Sequence, residues 1–354
     1  MGLEFGDAAP WFDGPTASTP RFNISVAGGR YVIIGFLPPE PEARRRAMAW
    51  FTDYRALIDD RHASTFLVAR DDLALAAACD VLPGLRWYLD RDGAITRLYG
   101  AEGPDGATRG QWLLLDPTLR VLAITPFDEG EAIFRRLAAL PPPDLHAGCL
   151  VPAPVLIVPR VFEPELCRQL IDLYDRQGGQ PSGVMREVGG RTVGQVDDFK
   201  RRRDANVDDE ALRRVTRVRI GRRLIPEIRK AFQFSATRIE RYIVACYDAA
   251  DGGFFRPHRD NTTKGTAHRR FACSINLNAE DHDGGDLRFP EFGAATYRPP
   301  TGGAVVFSCS VLHEATPVTR GRRYAFLPFL FDEAGEQVRQ ENLKHLDPGA
   351  VVAA

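Results

Sequence analysis

The chain has no excess of either charge: 46 Lys and Arg stand against 47 Asp and Glu, a formal net charge of −1. That balance excludes binding to nucleic acid or to an anionic membrane through bulk charge alone. It also has no C-x-x-C pair. The six cysteines (Cys79, Cys149, Cys167, Cys246, Cys273 and Cys309) lie far apart, which argues against a disulfide framework and for reduced thiols in the cytoplasm. Apolar runs such as Tyr31–Leu37 and Ala304–Phe307 fall far short of the roughly 20 residues that a membrane-spanning helix needs. The opening MGLEFGDAAPWF lacks a basic stretch followed by an apolar one, so no secretory signal is expected. Internal repeats and low-complexity tracts are absent too. These absences point to a cytoplasmic protein with no nucleic-acid or membrane partner.

What remains is an ordinary globular composition, 44% hydrophobic and 26% charged over 354 residues, with room for two or three domains. Prolines cluster near 141–154, at Pro141-Pro142-Pro143, Pro152 and Pro154. Each fixes φ and removes a backbone donor, so the stretch reads as a semi-rigid linker.

Residues 1–140 alternate strand and helix patterns. RYVIIGFL (30–37), STFLVA (64–69), QWLLLD (111–116) and RVLAIT (120–125) read as strands, as does Arg86–Asp90. Helical spacing runs over Pro41–Leu57, Leu73–Cys79 and Glu129–Leu140. A three-layer α/β sandwich is predicted.

From 155 onward the texture changes. After the strand Val155–Val158 and a helix over Pro164–Tyr174, residues 186–205 are polar and glycine-dotted and read as a mobile loop, either a substrate lid or a plain one. A helix over Asp209–Phe232 carries a break or kink at Pro226. Six short runs follow: Ile239–Tyr247, Phe254–Arg256, Phe271–Leu277, Gly285–Phe289, Gly303–Phe307 and Arg323–Phe331. Short strands at near-regular intervals predict a sandwich or barrel. Residues 335–354 read as a C-terminal tail.

His258-Arg259-Asp260 sits among these strands, and His313 follows some fifty residues later. Residues i and i+2 of a strand share a face, so one histidine and one carboxylate can aim at one point and a distant histidine can complete the set. Two histidines and one carboxylate leave open positions on a non-heme Fe(II) ion. Structural zinc is usually closed by four ligands, and no cysteine here has ligand spacing. Ten residues past His313, Arg323 can offer a planar fork to a carboxylate.

The runs ACYDAADGGFFRPHRDN, SINLNAEDHDGGDLRFPEFG and GGAVVFSCSVLHEATPVTRGRRYAFLPFLF resemble the prolyl 4-hydroxylases of the Fe(II)- and 2-oxoglutarate-dependent dioxygenases. The resemblance covers about 155–331 and is most specific over 239–331. It implies a mainly-β double-stranded β-helix (jelly-roll) with supporting helices over 155–334. It assigns iron to His258, Asp260 and His313, and the far carboxylate of 2-oxoglutarate to Arg323. Tyr247 matches a tyrosine whose hydroxyl contacts the co-substrate. Asn276 falls where related enzymes carry a second tyrosine, and its amide could serve there. Fe(II), 2-oxoglutarate and O₂, with ascorbate as an accessory, are the implied cofactors. The implied reaction hydroxylates a C–H bond of a prolyl or other residue in a protein or peptide, releasing succinate and CO₂. A hydroxylase of a free amino acid or small natural product is the alternative. A sensor that binds metal and 2-oxoglutarate without turnover is a third reading, which the intact Tyr247, Arg323 and triad argue against.

Residues 1–140 resemble the thioredoxin-like fold of peroxiredoxins through GDAAPWFDGPT, GGRYVIIGFLPP and STFLVARDD. Where that family places its thiolate, the sequence reads Pro38-Pro39-Glu40-Pro41-Glu42. The resemblance therefore implies a degenerate module without the peroxidatic cysteine, serving to dock substrate or to form a homodimer. Cys79 reads as a packed core thiol, as do Cys246, Cys273 and Cys309. His268 and His282 fall in polar turns and read as solvated. Lys200-Arg201-Arg202-Arg203, interleaved with acidic residues, reads as a solvated face.

Overall fold

The computed structural model describes residues 2–70, 75 and 78–346, and the chain divides into two units. The first is Met1–Ala153 with Pro290–Ala294, the second Pro154–Phe289 with Ala295–Ala354.

In the first unit the apolar runs become strands Tyr31–Phe36, Ala63–Ala69, Leu85–Leu89, Gln111–Leu115 and Val121–Pro126. They form one sheet in the spatial order 85–89, 63–69, 31–36, 111–115, 121–126. The first three are parallel neighbours, and the last two join as antiparallel partners. Every residue of Tyr31–Phe36 is buried because both faces are covered, which is why the run is apolar without alternation. Tyr31 and Ile33 pack with Ala47, Phe51, Phe134 and Leu137 of the helices Pro41–Asp53 and Gly130–Ala138. Val32, Ile34 and Phe36 pack on the other side with Ile95 and Tyr99, at the helix Ala94–Leu98. The helix expected at 73–79 falls largely outside the described residues. Cys79 is exposed, not packed in a core. The adjacent Asp80 accepts hydrogen bonds from the Ser18 hydroxyl (2.5 Å) and the Trp87 amide (2.7 Å), anchoring the chain where it runs along the surface.

The second unit is built on two sheets. The larger contains, as consecutive neighbours, strands Ala304–Ser308, Phe271–Asn276, Arg322–Phe326, Ile243–Asp248 and Arg203–Asn206. The smaller runs Lys200–Arg201, Phe254–His258, His313–Ala315, Leu287–Arg288, Thr296–Tyr297. From 243 to 326 the chain passes alternately between the two sheets, the winding of a double-stranded β-helix. The helices Pro164–Gln177, Glu210–Arg223 and Ile225–Phe232 pack on the outside of the larger sheet through Leu170, Leu173, Ile220 and Ile228, against Val244, Cys246, Cys273 and Ile275. The helical pattern at 209–232 is broken at Leu224, with Pro226 in the first turn of the second helix, where its missing N–H leaves no bond unmade.

Several expectations need correction. The run 239–247 is two strands, Arg238–Glu240 and Ile243–Asp248, because Arg241 takes a left-handed φ of 71°. The run 323–331 divides into Arg322–Phe326 and Phe329–Phe331 around Pro328, which has no amide to donate. The polar stretch 186–205 is no plain loop: Val184–Val188 and Arg191–Gln195 form a hairpin, and Lys200–Arg201 and Arg203–Asn206 each join a sheet. Residues 335–346 are not a simple tail, since Asp332 caps a helix over Glu333–Asn342 through the Gly335 amide. Among the described residues no helix is long and apolar enough to cross a membrane.

Candidate metal centre

His258 closes the strand Phe254–His258 and His313 opens the neighbouring strand His313–Ala315, where the two are direct cross-strand partners. Asp260 lies two residues past the strand end, not on a strand, so the same-face argument for i and i+2 does not place it. The turn does: its amide donates to the Cys309 carbonyl (2.9 Å), and Arg269 donates to its own carbonyl (3.5 Å). The His258 and His313 Nε2 atoms stand 3.5 and 3.3 Å from the two Asp260 carboxylate oxygens. One ligand atom from each residue falls within 4.8 Å of the others.

The donor chemistry fits a metal ion. Each imidazole turns its Nδ1 toward a carbonyl two residues upstream, Arg256 at 2.8 Å and Val311 at 3.0 Å. A carbonyl only accepts, so the proton resides on Nδ1 and Nε2 presents its lone pair inward. Burial lowers the His258 pKa to about 4, which keeps it neutral. Ligands about 2.1 Å from one ion and at right angles stand about 3 Å apart, close to the separations seen. Two nitrogens and one carboxylate oxygen suit non-heme Fe(II) with positions left open.

Arg323 enters the same interior from the larger sheet. It is 3% exposed, donates to the Ser274 hydroxyl (2.8 Å) and lies 5.1 Å from the ring centre of Tyr247, its cross-strand partner. Among the described residues no carboxylate comes within salt-bridge distance of it, and burial lowers its pKa. Gly285, at φ 74°, permits this packing: a Cβ there would stand 2.9 Å from the Arg323 Cδ. Arg322 points the other way, exposed and paired with Asp248 (2.8 Å). Tyr247 and the triad are joined through an apolar lining of Tyr247, Phe255, Ala315 and Val318, in which the Phe255 ring stacks on His258 at 3.5 Å. Asn276 is buried, and its amide donates to the Pro299 carbonyl (2.7 Å).

The sequence reading missed a second tier of groups. Arg202 makes a bidentate pair with Asp204 (2.7 Å for each bond) and reaches the Tyr247 hydroxyl at 3.4 Å. Lys200 and Arg202 are buried, so the basic run is no solvated face. Lys200 and Arg202 turn inward while Arg201 and Arg203 turn outward, an alternation that four consecutive basic residues do not display in the sequence. His268 and His282 are buried as well. His268 meets Glu240 at 2.6 Å, and Arg269 holds the other oxygen of that carboxylate at 2.6 Å. His282 bonds the Gly284 carbonyl at 3.0 Å. Their turns fold back on the sheet, which polarity alone does not reveal.

A family model described as the 2OG-Fe(II) oxygenase superfamily matches residues 242–331, the segment that holds the triad, Tyr247 and Arg323. A PKHD-type hydroxylase of Maricaulis maris is 32% identical over 170 residues, covering 45% of this chain and 72% of that protein. The chain belongs to the PKHD-type hydroxylase family. A PKHD-type hydroxylase of a Synechococcus strain is 32% identical over 93 residues, covering 25% of this chain and 41% of the relative. One from Phenylobacterium zucineum is 34% identical over 106 residues, with 28% and 47% covered. The chain thus spans about half or less of the length of several curated PKHD-type hydroxylases that it matches. Among solved structures, a Trichoplax adhaerens prolyl hydroxylase in complex with a hypoxia inducible factor peptide fragment gives a TM-score of 0.39 at 19% identity, with 52% of this chain and 86% of that one covered. A putative thiol:disulfide interchange protein DsbE from Chlorobium tepidum gives 0.32 at 23%, with 39% and 98% covered. Neither structural likeness is close enough to bear on function.

Proposed function

We propose that the protein is an Fe(II)- and 2-oxoglutarate-dependent dioxygenase that hydroxylates a C–H bond, in a prolyl or other residue of a protein or peptide, with release of succinate and CO₂. One observation carries the reading: a neutral-imidazole, carboxylate triad and a buried guanidinium without a carboxylate partner face the same interior. His258, Asp260 and His313 would hold the metal. Bound Fe(II), with O₂ and 2-oxoglutarate, supplies the oxidising chemistry that amino-acid side chains lack. Arg323 would take the far carboxylate of the co-substrate, because a buried cation gains most from the charge partner that it lacks. The Tyr247 hydroxyl accepts from Arg202, leaving its own proton to donate to that co-substrate. Phe255, Ala315 and Val318 keep water from the space between. Asn276 is not assigned a co-substrate contact, since its amide is engaged by Pro299. The prolyl target rests on the resemblance of the 239–331 motifs, and ascorbate belongs to the same reading as an accessory reductant.

The first unit we read as a thioredoxin-like module that docks substrate or forms a homodimer. Its strand order and the covering of both sheet faces support this. The helix start after its central strand, Glu40-Pro41-Glu42, carries no thiol, so peroxidase chemistry has no nucleophile there.

The test is succinate formation from 2-oxoglutarate by protein loaded anaerobically with Fe(II), then exposed to O₂. Wild type is expected to produce succinate and Asp260→Ala none. Failure of the wild type to bind either Fe(II) or 2-oxoglutarate would overturn the assignment.

A further inference from the structure

Lys200 stands apart among the charges of the second unit. It is 6% exposed, and no carboxylate lies within salt-bridge distance of its ammonium among the described residues. Its partners are neutral: the Ser182 hydroxyl at 2.9 Å and the Gly183 carbonyl. The nearby carboxylate is already engaged, since Asp204 is gripped by both arms of Arg202 and accepts from Ser182 at 2.5 Å. A buried ammonium with only neutral partners is a costly arrangement, and burial together with the charge of Arg202 holds its pKa well below the usual lysine range.

The backbone places this group beside the metal centre. Lys200 is the direct cross-strand partner of Phe255, so the two side chains share a face, and the ammonium lies 4.8 Å from the ring centre. The register shifts between Phe255 and His258, and this irregularity brings Phe255 onto the His258 ring. Lys200, Phe255 and His258 therefore form one stack leading to the triad. Lys200, Ser182 and Arg202 also line a cleft of about 920 Å³, together with Asp197, Asp198, Asp248 and Arg322. On the functional reading above, both carboxylates of 2-oxoglutarate are accounted for, one by Arg323 and one at the metal. Neither is left to balance Lys200.

We propose that Lys200, oriented by Ser182, binds a carboxylate of the primary substrate and so selects a substrate bearing a negative charge near the hydroxylated carbon. Resting as it does on the dioxygenase reading, the proposal requires the co-substrate site to be intact. A carboxylate there would supply the charge partner that the fold withholds, and an uncharged amide would not. Lysine suits a single point contact, whereas Arg323 offers a fork.

The experiment uses the full chain loaded with Mn(II) and 2-oxoglutarate under anaerobic conditions, with binding read by calorimetry. Two probe pairs separate the sources of the carboxylate. N-acetyl-prolinate against N-acetyl-prolinamide tests a chain terminus or free acid, and N-acetyl-aspartyl-prolinamide against its asparaginyl counterpart tests an acidic side chain. At least one carboxylate probe is expected to bind 10-fold or more tightly than its amide. That preference should vanish in Lys200→Met and survive in weakened form in Lys200→Arg. Affinity for 2-oxoglutarate itself should stay within about 3-fold in both variants, which also shows that they are folded. Equal binding of acid and amide in both pairs, or a preference that persists in Lys200→Met, overturns the proposal. So does a 10-fold loss of 2-oxoglutarate affinity in Lys200→Met, which would make Lys200 part of the co-substrate site. Absence of Mn(II)-dependent 2-oxoglutarate binding to the wild type would instead sink the dioxygenase reading beneath it.

Discussion

The two units treat charge in opposite ways. Over the described part of residues 2–153, Asp90 is the one fully charged type of side chain that is buried, and it is satisfied. Its carboxylate accepts from the amides of Ile95 and Thr96 and from the Thr96 hydroxyl, at 3.0, 2.8 and 2.6 Å. The second unit buries Lys200, Arg202, Arg259, Arg269, Arg323 and three histidines, and among the described residues no carboxylate lies within salt-bridge distance of Lys200 or Arg323. Burying charge is costly unless it is paired. On the reading proposed above, charge left without a carboxylate around one interior keeps places for ligands, while Asp90, tied to the backbone of its own unit, serves stability.

The contrast can be broken most severely at Glu240, whose carboxylate joins His268 and Arg269 and, through Arg269, the carbonyl of Asp260. Glu240→Ala leaves a buried guanidinium without its partner and is expected to destabilise the second unit by about 3–5 kcal/mol. All four tryptophans, Trp11, Trp50, Trp87 and Trp112, lie in the first unit. Tryptophan fluorescence should therefore report an unchanged melt while circular dichroism shows an early transition. A shared shift in both signals would show that the units do not unfold separately.

Arg323→Met probes the ligand side of the same contrast. Truncating one partner of a buried charge pair costs about 2–5 kcal/mol in binding, so the 2-oxoglutarate KM should rise by about 30-fold or more. Arg323→Lys should recover only part of this, since the fork is lost. An unchanged KM would remove Arg323 from the co-substrate site. Stability should barely respond, because the native guanidinium has no carboxylate to lose.

How much of this was legible beforehand follows from the range of the interactions. The convergence of His258, Asp260 and His313 and the burial of Arg323 were readable because residue types suited to a metal and to a carboxylate recur at strand spacing. The central strands of the first unit were readable because two-sided burial leaves apolar runs. The inward turn of Lys200 and Arg202 was not legible, because four consecutive basic residues show no periodicity and composition suggested solvent. His268 and His282 were misread because the partners that bury them, Glu240 and the Gly284 carbonyl, depend on how their turns fold back. Cys79 was misread in the opposite sense: an apolar string promised a core that the chain leaves at Asp80.

A smaller effect belongs to the first unit, where charge serves stability. Burial raises the Asp60 carboxyl, but hydrogen bonds from Arg86 and Ser64 outweigh it and bring its pKa from 3.8 to about 2. A carboxylate with a depressed folded pKa stabilises above its unfolded value and loses that contribution as pH falls through its folded one. Asp60→Asn should therefore cost roughly 2 kcal/mol at neutral pH, read by tryptophan fluorescence. The gap to wild type should close between about pH 4 and pH 2. A gap independent of pH would mean that packing, not ionisation, carries the effect.

The smallest expected effect is none, and it sharpens the comparison most cheaply. Cys79 and Cys149 are exposed, while Cys167, Cys246, Cys273 and Cys309 are buried, so a maleimide should label the first pair in the native protein and the other four only after unfolding. If the first unit is a thioredoxin-like scaffold without thiol chemistry, labelling both exposed cysteines should leave succinate formation unchanged, as should Cys79→Ala. Burial raises the pKa of each of the four inner thiols, which keeps them protonated and slow to react even where reagent penetrates. A fall in turnover on labelling the native protein, reversed by Cys79→Ala, would give the first unit a chemical voice in the reaction and remove the division of labour drawn between the two units.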